Sequence, residues 1–115
     1  MIRLPATIRI GNRVFDVVEK KHRRAIREGD YYGEGDSQNA TITIHRWRGI
    51  SDRDVLDTFW HECREMWLAE NGCRTKTEGE QPHYVFHMDH DRFAQSCALD
   101  VEIHLALCAA NHASL

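Results

Sequence analysis

The feature that most restricts the fold is a segment of helical periodicity with a start signal and a stop signal in place. Ser51-Asp52-Arg53-Asp54 opens it and Asn71-Gly72 closes it. A serine followed three residues later by an acid is a capping-box-like start, and Asn-Gly is a good C-terminal pair. At about 100° per residue, Val55, Phe59, Trp60, Cys63, Met66 and Trp67 fall within one stripe. A helix from Ser51 to about Glu70 must bury that stripe, so the rest of the chain has to supply an apolar surface for it.

Strand patterns supply that surface. Thr7-Ile8-Arg9-Ile10 alternates polar and apolar residues, Gly11-Asn12 follows, and Arg13 to Val18 is rich in β-branched and aromatic residues. Two such runs around a Gly-Asn pair predict a β-hairpin with a primed turn. Residues 29 to 39 are turn-rich and predict a loop or hairpin bend. Ala40 to Arg46 alternates again, with Ile42 and Ile44 on one face, as a half-buried strand does. Residues 72 to 82 predict a loop and Tyr84-Val85-Phe86 a short extended segment. A second helix is expected from near Asp89 to about Ala110, with Phe93, Ala94, Cys97, Ala98, Val101, Leu105 and Cys108 as its apolar stripe. The expected fold is α+β: a small antiparallel sheet, hairpin plus edge strand, packed with two main helices.

With 115 residues the chain fits one domain, spanning residues 1–115. Fifteen basic against eighteen acidic residues give a net charge of −3, which disfavours nucleic acid and anionic membranes as partners. The basic run between Glu19 and Glu28 has no interleaved aromatic residue and predicts a solvated segment. The first residues lack the long apolar stretch of a secretory signal, so the expected location is the cytoplasm. Four dispersed cysteines, without a C-x-x-C pair, predict reduced thiols, three of them buried. Eight histidines are an excess, and His83, His87 and His90 lie close together. Histidine is the commonest metal ligand and a neutral-pH acid–base group.

The first helix carries His61-Glu62-Cys63-Arg64-Glu65. Residues four apart on a helix are neighbours, so His61 and Glu65 can converge on one point away from Phe59, Cys63 and Met66, with Glu62 close to them. This is the geometry of an H-E-x-x-H zinc helix with the second histidine replaced by glutamate.

Together with Ile8 to Phe15, Gly33-Glu34-Gly35-Asp36, Thr41 to Ile44 and Ser51 to Trp67, this layout resembles short phage and prophage proteins regarded as minimal zincin metallopeptidases. The resemblance implies a zincin-like fold, a zinc peptidase activity and, for a phage-encoded chain, the host cytoplasm. The departure from it falls on a ligand position, Glu65.

Zinc accepts carboxylate oxygen as well as imidazole nitrogen, and two His with one Glu is a common catalytic set. A second histidine then has to come from elsewhere. His90 falls on the expected apolar stripe of the second helix and is the preferred third ligand, with His87 in reserve and His83 least constrained. His104 is expected in the core; it or Asp91 can support a ligand histidine. In this reading His61, Glu65 and His90 hold the metal, Glu62 is the general base, and the strand Ala40 to Arg46 aligns a peptide along its edge. Zinc is the expected ion, with iron or manganese tolerated. The alternative is an inactive zincin-like binding protein that acts on a host or phage protein, with Tyr31 and Tyr32 as anchors. A thiol enzyme built on Cys63 or Cys97 is a distant third.

Overall fold

The computed structural model describes residues 1–21 and 32–114. Strands β1 (Thr7–Ile10), β2 (Arg13–Lys20), β3 (Gly33–Asp36) and β4 (Thr41–His45) precede helix α1 (Asp52–Glu70). Strands β5 (Arg74–Lys76) and β6 (Tyr84–Phe86) and helix α2 (His90–Ala110) follow. Most of the basic run, together with Tyr31, lies outside the described residues.

The expected hairpin forms around Gly11, whose φ of 62° suits glycine. The sheet order is β1-β2-β4-β3. β1–β2 and β4–β3 are antiparallel, whereas β2 and β4 run parallel, so the α+β class holds with a mixed rather than an antiparallel sheet. β4 is an inner strand, and this corrects the expectation that Ala40 to Arg46 offers an edge to a peptide. Its main chain is already paired on both sides, and Ile42, Thr43, Ile44 and His45 are all buried. The edges are β1 and β3.

The strand at the β3 edge was expected as a bend because its sequence, Gly-Glu-Gly-Asp, has poor β propensity. Its glycines are explained by α1. A Cβ on Gly33 would stand 2.8 Å from Thr58 Cγ2 and 2.9 Å from the Thr43 carbonyl oxygen. A Cβ on Gly35 would stand 2.6 Å from Met66 Cε. The helix therefore lies directly on the strand's backbone, a close approach that only glycine permits.

α1 begins and ends where its signals place it. Ser51 Oγ accepts from the Asp54 N–H at 3.1 Å, and Gly72 takes a φ of 69° just beyond the end. Its stripe enters the core at Val55, Phe59, Cys63, Met66 and Trp67, while Trp60 is half-buried at the boundary. These side chains meet Ile8, Ile10, Phe15, Ile42 and Ile44 from the sheet.

α2 also spans the expected residues, with Asp89 as its cap, but it is turned the other way. The buried side chains are Ser96, Leu99, Ile103 and Leu107, and the stripe expected inside is outside: Phe93 and Val101 are each 58% exposed and Leu105 45%. The helix is apolar on two faces, and the one with long branched side chains at i, i+4 and i+8 packs on β1 and α1. Its rotation is fixed from α1 by Trp60 Nε1–H, which donates to Asp100 Oδ1 at 2.8 Å, and by Arg64, which pairs with the same oxygen. At its end, Asn111 exchanges side-chain hydrogen bonds with the main chain of Arg3 at 2.9 Å. Cys63 and Cys73 are buried, but Cys97 is exposed and Cys108 half-buried, so two rather than three cysteines serve as core residues.

The glycine contacts set a ranking for mutants. Gly33→Ala drives a methyl into a main-chain carbonyl and should cost about 2–3 kcal/mol. Gly35→Ala meets only the Met66 thioether, which can rotate aside, and should cost about 1–2 kcal/mol. Urea unfolding of the two variants checks the order.

Candidate metal centre

Three side chains of α1 converge at its middle. His61 and Glu65 lie one turn apart on the helix flank, and His61 Nε2 stands 3.2 Å from Glu65 Oε2. Glu62 Oε1 is 3.7 Å from the same nitrogen. One ligand atom from each of the three residues lies within 4.8 Å of the others. Donors held about 2.1 Å from a tetrahedral ion are about 3.4 Å apart, so the group fits a divalent cation by spacing and by its nitrogen and oxygen chemistry. The His61–Glu62–Glu65 cluster can hold a metal ion.

The three residues differ in exposure. His61 is open to solvent, Glu65 is mostly covered and Glu62 is buried. Thr58 and Met66, the residues that touch the β3 glycines, lie four positions before and four after Glu62, on the same ridge. Glu62 thus sits on the buried side of α1, in line with the two residues that meet the β3 glycines. Burial pushes its pKa up from 4.5 to about 7. The nearby Glu65 and Glu34 add to the rise, and His61 and Arg74 oppose it.

Arg74 enters the centre from β5. Its Nη1 is 3.3 Å from Glu65 Oε1, and its guanidinium lies 4.3 Å from the centre of the Tyr84 ring. Arg74 and Tyr84 line, with Glu34, Asp36, Thr41 and Thr43, a polar cleft of ≈ 580 Å³ along β3. A larger cleft of ≈ 800 Å³ lies by Met1, Arg46 and Trp47, away from the carboxylates. The cleft at Arg74 carries the guanidinium that pairs with Glu65. The sequence carries no motif that marks Arg74, Glu34 or Tyr84 as site residues. Only the stop at Asn71-Gly72 hinted at Arg74, because a chain that turns back there passes the last turns of the helix again.

Of the expected site residues, the structure brings together His61, Glu65 and Glu62 and leaves His90 out. His90 is the exposed first residue of α2, and the rotation that buries Leu99 and Ile103 directs that position outward. His87 is exposed as well, and only its backbone N–H is held, by the Cys73 carbonyl. His83 Nδ1 is 3.2 Å from Thr77 Oγ1 at the β5–β6 bend. His104, expected in the core, is exposed with its Nε2 3.6 Å from Cys108 Sγ, and Asp91 is exposed too. Burial holds the Cys63 thiol protonated, with Glu62 adding to the effect, which leaves no nucleophile there for a thiol enzyme. Tyr32 is 41% exposed and stacks edge-on against Trp47 at 5.0 Å.

No protein-family model, curated protein or solved structure matches this chain. The functional reading therefore stands on the geometry alone.

That geometry predicts an unusual pH response. Between about 4.5 and about 7 folded Glu62 keeps a proton that the unfolded chain releases, so stability falls as pH rises across that window. In a chelating buffer the loss between pH 5 and pH 8 should be on the order of 2 kcal/mol. Glu62→Gln should flatten that slope, and thermal melts of the two proteins at both pH values measure the difference.

Proposed function

We propose that the chain is a divalent-metal-dependent hydrolase, in its most specific form a zincin-like zinc peptidase. His61 and Glu65 hold the ion and Glu62 is the general base. The observation that supports this reading best is the pairing of two unlike carboxylates on one helix. Glu65 is anchored by a guanidinium and stays a ligand, whereas Glu62 is buried, beside the same imidazole, with a proton affinity poised near neutrality. An ion-paired carboxylate of fixed orientation suits a ligand, and a buried carboxyl that binds its proton near neutral pH suits a general base.

A zinc ion held there supplies Lewis acidity towards a substrate carbonyl and towards water; iron or manganese suits the same donors. Glu62 takes a proton from the attacking water on its carboxylate and returns it to the leaving amine. Arg74 restricts Glu65 to one orientation, and Tyr84 supports the guanidinium from beneath. The open edge of β3 offers main-chain groups to an extended peptide lying in the cleft. A second reading, a binding protein that works without metal, draws on the Arg74–Glu65 ion pair, because a guanidinium already neutralises one ligand.

Elemental analysis after zinc loading and gel filtration separates the two. The hydrolase reading expects one metal per chain, lost in His61→Ala and in Glu65→Ala. It also expects Glu62→Gln to keep the metal while cleavage of an unstructured protein such as casein falls by about 10²–10⁴. A chain that takes up no metal overturns the reading in favour of the binding protein.

A further inference from the structure

The outer face of α2 is an exposed apolar surface that the metal centre leaves unused. The most apolar window of this helix has a mean hydropathy of 1.2, yet only 22% of it is buried. Ala94, Val101 and Cys108 recur at intervals of seven, and Cys97 and His104 repeat between them with the same interval. Alternating steps of three and four are the seam of a coiled coil, which is matched to another helix rather than to a sheet or a loop. All but Cys108, which is half-buried, are exposed; Phe93, Ala98 and Leu105 widen the seam, and no residue in this arc carries a formal charge.

We propose that this face is the interface of a symmetric dimer in which α2 packs antiparallel against α2 of a second copy. The order of large and small residues fits its own reverse. With the two-fold axis near Val101, Phe93 of one copy meets Cys108 and Ala109 of the other, and Leu105 meets Ala98. A parallel pair sets Phe93 on Phe93 and Ala98 on Ala98, which crowds one layer and empties the next. Antiparallel packing also opposes the two helix dipoles.

The exposed apolar area on this face is on the order of 500 Å² per copy, so a dimer buries about 1,000 Å², the lower limit for a specific interface. A membrane surface fits less well. Interfacial helices carry basic residues on their polar face, whereas α2 has Arg92 alone against Asp91, Asp100 and Glu102.

Sedimentation velocity of the full chain under reducing conditions tests the proposal. The expected result is a species of twice 13.4 kDa with a Kd of about 1–10 µM. Val101→Glu should weaken association at least 100-fold without changing the circular dichroism, since Val101 is exposed in the protomer. In a Cys97→Ser, Cys108→Ser background, Ala98→Cys together with Leu105→Cys, the pair opposed in this register, should crosslink two copies under mild oxidation, whereas Ala98→Cys alone should not. A crosslink formed by Ala98→Cys alone in that background overturns the antiparallel arrangement. A chain that stays monomeric at 100 µM overturns the dimer, as does one whose dimer ignores Val101→Glu. Binding of the monomer to phosphatidylcholine vesicles in place of dimerisation assigns the face to lipid and overturns it too.

Discussion

The structure depends on how closely α1 lies against β3. A helix normally stands off a sheet by the thickness of two layers of side chains. Here one layer is missing, because Gly33 and Gly35 present only backbone to Thr58 and Met66. The closeness holds α1 low over the sheet along the ridge that also carries Glu62. A carboxylate on a core ridge is unfavourable unless something compensates. Retention of a proton near neutral pH is one compensation, and a cation held beside it by His61 and Glu65 would be another. Packing and site chemistry thus share one ridge of α1.

Much of this was legible in the residues. The starts of both long helices and the end of α1 followed from Ser51, Asp89 and Asn71-Gly72, because capping is a local hydrogen-bonding problem with a local solution. His61 and Glu65 could be paired for the same reason, since spacing on a helix is geometry. The misses were non-local. β3 was hidden because its residues were selected for what sits on them rather than for strand propensity. β4 reads as an edge in the sequence because nothing in its own five residues says that β3 will cover its far side.

The rotation of α2 was the costliest miss, and it has a definite cause. The helix offers two apolar stripes about half a turn apart, and periodicity alone cannot choose between them. Tertiary packing selects Leu99, Ile103 and Leu107, and the Asp100 carboxylate, held by Trp60 and Arg64, keys the helix in that setting. The expected place of His90 at the metal followed from the other stripe, so both expectations failed together.

The two glycines have one more effect. An unprotected sheet edge invites a strand from another molecule to pair with it, and long, flat, apolar edges seed aggregates. β3 is four residues long, half of it glycine, and its remaining side chains are the carboxylates of Glu34 and Asp36. Such an edge pairs poorly with copies of itself, since stacking them brings like charges into register. The composition that seats the helix therefore also defends the sheet against fibril growth.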